Sequence, residues 1–244
     1  MQKSVKEAMQ ELEDLLSNKK IVSKHSEENS LNFDDLLSDK KKVSSHVEKE
    51  ASRFDELQGF LSKERKISSE ISRNFPSAPY GQALILCNAE NNFDVMISVL
   101  KKVSIEKKFP VLILTSTNYK SMQKMLSESH ISSDFYIIDA VSKNLSDTKE
   151  TEKILFVDSL RNLTQIQIRI INLIEKEKEI VFIFDSLNVL ELYHSEIVIF
   201  KFIYSVAKIM RKNKIDCFYI LNKKSLVPKL SQFFDNFVEI KKSE

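Results

Sequence analysis

The sequence is poor in glycine, with two glycines, four prolines, two cysteines and no tryptophan in 244 residues. Glycine averages about 7% of residues in proteins. Phosphate-binding loops and nucleophile elbows need glycine at fixed positions, so both classes of site are disfavoured. The bias toward lysine, isoleucine, asparagine and serine also accounts for the shortage, and a missing glycine alone therefore excludes little. The two cysteines lie in apolar runs, which predicts buried, reduced thiols and no disulfide framework.

Neither an excess of charge nor a long apolar segment is present. Lys and Arg number 37 against 35 Asp and Glu, so no strong field draws the protein to nucleic acid or to acidic membranes. The first ten residues, MQKSVKEAMQ, contain no signal-peptide core. Lys201 and Lys208 interrupt the longest apolar stretch. The four histidines have no metal-ligand spacing. We expect a cytoplasmic protein with no membrane partner, no metal site and no preference for nucleic acid.

The composition changes near residue 76. The residues before this point are rich in serine, lysine and glutamate, and compact apolar runs recur after it. Pro76 and Pro79 cannot continue a helix. We therefore predict an extension over residues 1–75 and a folded domain over residues 76–244.

The extension contains a threefold repeat whose units begin at Glu11, Asn32 and Arg53. Each unit has an acidic and apolar head, then a serine and basic residues, an order that suits the dipole of a short helix. We predict that the apolar residues of the heads dock protein partners, through Leu15, Leu16, Phe33, Leu36, Leu37, Phe54, Leu57 and Leu61.

Several structures fit these repeats. One is a mostly disordered tail whose motifs fold on a partner, with repetition raising the affinity through effective concentration. Another is a set of helical arms packed on the body, and a third is a linker without function. A continuous coiled coil fits poorly because the apolar spacing breaks between His25 and Leu31. We favour docking motifs.

From Tyr80 onward, apolar runs alternate with segments of helical period, which predicts an α/β fold with a mostly parallel sheet flanked by helices. Strands are predicted at residues 83–88, 111–116, 135–139, 154–157, 180–185, 216–221 and 236–240. Helices are predicted at residues 92–107, 119–129, 163–178 and 195–213. Residues 165–170 (QIQIRI) alternate as a strand would. Isoleucines at 166, 170 and 174 recur every four residues, however, and favour a helix.

A buried strand at residues 181–184 ends in Asp185-Ser186. An acid at the carboxyl end of a parallel strand faces the ligand crevice and can hold Mg²⁺ through water, although such acids also serve as turn or cap residues. Four segments occur in order: SLRNLT, VFIFDSLNVLELY, a long helix, and DCFYILNKKSLVPKLSQFFDNFVEI. This order resembles the carboxyl half of RecA/KaiC-type domains and is most similar to a degenerate archaeal branch of that superfamily. The resemblance covers residues 80–242 and aligns Asp185-Ser186 with the Walker B strand, implying a RecA-like fold.

The sequence departs from this superfamily at two catalytic positions. The loop after the first strand, residues 88–94 (NAENNFD), has none of the glycine, lysine or hydroxyl residues of G-x-x-x-x-G-K-[ST]. Glu90 and Asp94 stand where phosphate charges would lie. After the next strand, residues 114–119 (LTSTNY) lack the glutamate that activates water. We predict that this chain alone does not hydrolyse ATP, and we assign no catalytic residue.

These observations favour a non-catalytic RecA/KaiC-like regulatory or assembly protein. Its expected partners are proteins, among them a catalytic RecA/KaiC-like paralogue or further copies of itself. No cofactor is assigned, and weak binding of ATP and Mg²⁺ stays open in a degenerate crevice formed by Asn88, Asn91, Asp185 and Ser186. Two alternatives are an atypical nucleotide sensor or ATPase subunit whose site is completed in an oligomer, and a RecA-like protein that binds nucleic acid.

Overall fold

The computed structural model describes residues 59, 62–75, 79, 81–129, 131, 134–143 and 150–241. By its internal contacts the chain divides into two units, Met1–Gln58 and Gly59–Glu244. All described residues belong to the second unit.

The second unit is built on a sheet of seven parallel strands in the order β4-β3-β2-β5-β6-β1-β7. The strands are β1 (Gln82–Leu86), β2 (Phe109–Leu114), β3 (Tyr136–Asp139), β4 (Ile154–Phe156), β5 (Ile180–Phe184), β6 (Asp216–Leu221) and β7 (Asn236–Glu239). The central strands are buried on both faces, which explains why they are continuous apolar runs and not alternating ones.

Helices cover both faces of the sheet. They are α1 (62–74), α2 (Asn92–Ile105), α3 (Tyr119–Glu128), α4 (Leu163–Lys176), α5 (Glu196–Lys212) and the short α6 (Val227–Leu230). Helices α1, α2 and α3 pack on one face, whereas α4 and α5 pack on the other. The α/β fold predicted from the alternation of apolar runs and helical segments is confirmed. Among the described residues, no helix combines the length and the apolarity that crossing a bilayer requires.

Residues 165–170 lie in helix α4, as the four-residue spacing of their isoleucines predicts. The side chain of Asn162 caps this helix by accepting a hydrogen bond from the backbone N–H of Gln165 at 3.1 Å. Ile166 and Ile170 are fully buried against the sheet, while Ile168 remains half exposed. The strict alternation is therefore incidental, and the helical period determines the structure.

Helix α1 belongs to the body although its residues lie in the predicted extension. Ile67, Ile71 and Phe75 are buried in the same core as α2 and the strands, and the ring of Phe75 contacts that of Phe218 edge to face. The boundary predicted at residue 76 thus falls inside the compact unit, which begins at Gly59. The prolines at 76 and 79 follow the end of α1 and do not mark the start of the folded unit. The apolar content of α1 is low because only one narrow face of the helix is buried.

Two helices end in left-handed residues that are not glycine. Lys107 after α2 and Lys214 after α5 have φ values of 58° and 57°. Each follows the Schellman pattern, in which the next backbone N–H reaches back to the last turn: Lys108 to the carbonyl of Val103, and Ile215 to that of Met210. Glycine normally occupies this position because it has no Cβ, so the shortage of glycine is visible in the structure as backbone strain.

Candidate functional site

The carboxyl ends of β2 and β5 form the crevice where a ligand of an open α/β sheet is expected. These neighbouring strands continue into helices on opposite faces, β2 into α3 and β5 into α5. Ligands of such sheets bind where the connections diverge in this way. Thr115 follows β2 and Asp185 follows β5 at this point.

The carboxylate of Asp185 lies in this crevice and accepts hydrogen bonds from the loop after β2. Its carboxylate Oδ1 accepts hydrogen bonds from the backbone N–H of Thr115 at 2.8 Å and from the Thr115 hydroxyl at 2.6 Å. Its Oδ2 accepts from the backbone N–H and hydroxyl of Ser116, at 3.1 and 2.8 Å, and from the N–H of Thr117 at 3.3 Å. Both carboxylate oxygens are therefore used to hold the loop after β2.

Burial and hydrogen bonding act in opposite directions on the pKa of the carboxyl group of Asp185. The side chain is almost completely buried, and this burial raises the pKa of the carboxyl, while the hydrogen bonds from Thr115 and Ser116 act in the opposite direction. The carboxylate of a Mg²⁺ site keeps an oxygen directed at the ion or its water. Within the described part of the chain, no three His, Cys, Asp or Glu side chains are placed to hold one metal ion.

A second network joins the loop after β1 to β5 and β6. The side-chain amide of Asn92 donates to the backbone carbonyl of Asp185 at 2.8 Å and accepts from the amide of Asn222 at 3.2 Å. Asn222, which follows β6, also lies 3.4 Å from the thiol of Cys87, and its backbone N–H donates to Asn188 at 2.9 Å. Burial raises the pKa of Cys87 to about 12, so the thiol is neutral. These amides connect the carboxyl ends of β1, β5 and β6.

The loop that would hold phosphates is a single 3₁₀ turn, Ala89–Asn91, that leads directly into α2. Asn88 is exposed before the turn, whereas Asn91 is buried within it. The sequence has two acids, Glu90 and Asp94, at this loop. Asp94 forms an ion pair with Lys63 of α1 at 2.8 Å, so its charge is largely balanced.

A cavity of about 240 Å³ lies between this turn, α2 and α3. Ligand pockets usually measure about 300–1,000 Å³. Apolar side chains form much of its wall, and its charged lining residues within the described chain are acidic. The apolar lining residues are Phe93, Met96, Met122 and Met125, and the charged ones are Glu90 and Asp185. A triphosphate would meet negative charge and thioethers here, with no lysine or arginine among the described lining residues.

Asp139 is held in a similar way at the end of β3, which lies on the other side of β2 from β5. It is fully buried, and it accepts hydrogen bonds from the backbone N–H groups of Tyr119, Val141 and Ser142, at 2.8, 2.7 and 2.8 Å. Two acids at the carboxyl edge of the sheet thus hold neighbouring loops. The interpretation of a strand-end acid as a turn residue describes Asp139, which accepts from Val141 and Ser142, whereas Asp185 holds the loop that follows another strand.

No protein-family model matches the sequence, and no curated protein matches it either. Among solved structures, the chain is similar to the one described as "The cytoplasmic domain of EssC", with a TM-score of 0.38 and 12% sequence identity. The similarity covers 67% of this chain and 32% of that one, so this chain spans about a third of the length of that structure.

Of the four predicted crevice residues, only Asp185 lines the cavity, and Ser186 follows it in the chain. Asp185 and Ser186 are adjacent and buried, and the Thr115 hydroxyl contacts the carbonyl oxygen of Ser186. It is Asn92, and not Asn88 or Asn91, whose side chain reaches the Asp185 strand end. Thr115–Thr117 and Asn222 were not predicted to be site residues. The signal for the former was a run of three hydroxyl residues directly after a buried strand.

The predicted docking residues of the N-terminal heads lie outside the described residues. They are Leu15, Leu16, Phe33, Leu36, Leu37, Phe54, Leu57 and Leu61. The third repeat is described only in its second half, where it forms helix α1.

Proposed function

We propose that this chain is a non-catalytic RecA/KaiC-like regulatory or assembly protein that binds protein partners through its N-terminal repeats. One observation carries the first part of the proposal: the carboxylate that would serve Mg²⁺ in an ATPase already accepts five hydrogen bonds from Thr115, Ser116 and Thr117. A metal-bound water would have to displace these donors, and each displaced buried donor would then need a new acceptor.

The shape and charge of the neighbouring cavity support the same proposal. Phosphate sites combine backbone N–H groups at a helix start with a cationic side chain. Here the side chain of Asn92 is turned toward β5, and the nearby cation Lys63 is paired with Asp94. The binding energy of a nucleotide would therefore have to come from the base and ribose, in a cavity smaller than most ligand pockets.

Calorimetric titration of the full chain with ATP and Mg²⁺ tests this part. We expect no binding tighter than about 1 mM, which corresponds to about 4 kcal/mol of binding free energy. Micromolar binding that Thr117→Val weakens would contradict the proposal and favour the nucleotide-sensor alternative. Thr117 lines the cavity, and its exchange removes a hydroxyl without changing the volume. Asp185→Ala is less informative because loss of the loop contacts would also reduce binding.

The docking role requires a deletion that spares α1. Removing residues 1–75 would also remove Ile67, Ile71 and Phe75 from the core, and partner loss would then follow from unfolding. Removing residues 1–58 leaves the second compact unit complete. We expect proteins captured by the full chain to be lost on deletion of residues 1–58, with the melting temperature of the body unchanged. An unchanged set of captured proteins would remove the docking role.

A further inference from the structure

Exposed apolar side chains are concentrated on one segment of the described body. Ten large apolar residues are substantially exposed on the described body as a whole, and five of these ten lie between residues 192 and 204. Leu192 is 78% exposed, Ile197 66% and Tyr204 53%; Tyr193 and Val198 are less exposed. A cluster of this kind on a soluble domain is typical of an interaction surface.

Part of this cluster forms a stripe along α5. Ile197, Lys201, Tyr204 and Lys208 recur at helical spacing and are all exposed, and we call these four residues the α5 stripe. The opposite side of the helix is buried against the sheet through Ile199, Phe202, Ile203, Val206 and Met210. The stripe is thus an exposed surface of alternating apolar and basic residues, in which the ring of Tyr204 contacts that of Phe233 and the other three side chains point away from the sheet.

The two lysines of the α5 stripe have no acidic partner within the described part of the chain. The nearby acids are paired elsewhere: Glu196 with Lys229 at 2.5 Å, and Glu191 with Lys223 at 2.9 Å. Lysines alternating with isoleucine and tyrosine fit an amphipathic helix that carries acids beside its apolar residues. The exposed apolar and basic side chains of the stripe are therefore chemically suited to bind an acidic amphipathic helix.

The chain itself contains segments with this chemistry. The first repeat head is Glu11-Leu12-Glu13-Asp14-Leu15-Leu16, and the second is Asn32-Phe33-Asp34-Asp35-Leu36-Leu37. Both place apolar residues at positions i, i+3 and i+4 with acids among them, which matches one face of a helix.

We propose that the α5 stripe binds the acidic head of an N-terminal repeat from a second copy of the chain. This step rests on the docking role proposed for the repeats, and it names their partner. Charge complementarity selects the heads, because both contain acidic residues and no basic residue, whereas the α5 stripe contains Lys201 and Lys208. A head from a second copy produces concentration-dependent association, which a head of the same chain does not.

Sedimentation velocity of the full chain between about 1 and 100 µM tests the contact, since repeat-mediated interactions are individually weak. We expect concentration-dependent association, weakened about tenfold by Lys201→Glu with Lys208→Glu, because two favourable pairs become repulsive. The matched control, Lys120→Glu with Lys124→Glu, makes the same change of charge on the exposed side of α3. It should associate as the unchanged chain does.

A competing peptide identifies the head as the occupant. An excess of a synthetic peptide of residues 32–48 should dissociate the assembly, and the same peptide with Asp34→Lys and Asp35→Lys should not. A monomer at every concentration, association that both lysine pairs reduce equally, or a peptide without effect would overturn the inference. Loss of other captured proteins on deletion of residues 1–58 would then still support the docking role, with a different partner.

Discussion

Replacing Asp185 by asparagine should destabilise the protein, although the exchange removes a buried negative charge. A buried acid that serves to bind Mg²⁺ destabilises the metal-free protein. Its replacement commonly raises the free energy of unfolding, because stability and function oppose each other at such sites. An acid that holds a loop behaves in the opposite way. The sign of the change in unfolding free energy therefore distinguishes the two roles of Asp185.

The magnitude follows from the five hydrogen bonds. Asparagine keeps one oxygen, and its amide nitrogen would face at least two donors, either those of Thr115 or those of Ser116 and Thr117. An unsatisfied buried donor costs about 1–3 kcal/mol. Ser116 is exposed, so water can replace part of what is lost. We expect a loss of about 2–3 kcal/mol for Asp185→Asn and about 3–4 kcal/mol for Asp185→Ala.

Urea denaturation followed by circular dichroism measures this loss, and thermal unfolding should show a fall of about 5–10 °C for Asp185→Asn. Asp139→Asn should behave similarly, because that carboxylate also holds a loop. Asp134→Asn, at an exposed ion pair with Lys153, should be silent. Increased stability of Asp185→Asn, or stabilisation of the unchanged protein by millimolar Mg²⁺ that this variant lacks, would refute the reasoning.

The strained helix ends and the cysteines give two further expectations. Lys107→Gly and Lys214→Gly should each raise the free energy of unfolding by about 0.5–1 kcal/mol in urea denaturation, since glycine adopts a left-handed φ without strain. As a control, Lys208→Gly inside α5 should lower it by about 1 kcal/mol. Destabilisation by both helix-end variants would contradict the strain inferred at Lys107 and Lys214. Burial raises the pKa of Cys87 to about 12, and also raises that of Cys217, so above about pH 8.5 the unfolded chain loses thiol protons that the folded chain keeps. The unfolding free energy should therefore fall as the pH rises from 8.5 toward 12, and alkylation of native protein at pH 8 should be slow; rapid alkylation without unfolding would contradict the burial.

Local patterns predicted the elements of the body better than they predicted its limits. The four-residue spacing of isoleucines was sufficient to identify α4 against a competing strand pattern, because burial of one helix face selects that spacing. Helix α1 fits the alternative of helical arms packed on the body, which the sequence did not favour because only two isoleucines and a phenylalanine form the buried face among serine, lysine and glutamate residues. Composition averaged over a window cannot reveal a narrow buried face.

The sequence around Asp185 does not reveal which residues its carboxylate contacts. The position of Asp185 at the end of a buried strand was predictable, as was the missing phosphate loop. Its partners Thr115–Thr117 lie about 70 residues earlier in the chain and meet it only because β2 and β5 are neighbours in the sheet. Strand order and register, and not local sequence, decide whether such an acid faces solvent, an ion or another loop.

The loop at Thr115–Thr117 also determines which anion this edge of the sheet holds. Three successive backbone N–H groups converge on one carboxylate, the kind of nest that binds a ligand anion in other proteins. Here the anion is covalently part of the chain and does not dissociate. Because this anion cannot dissociate, the loop after β2 stays joined to the end of β5 whatever the concentration of free anions.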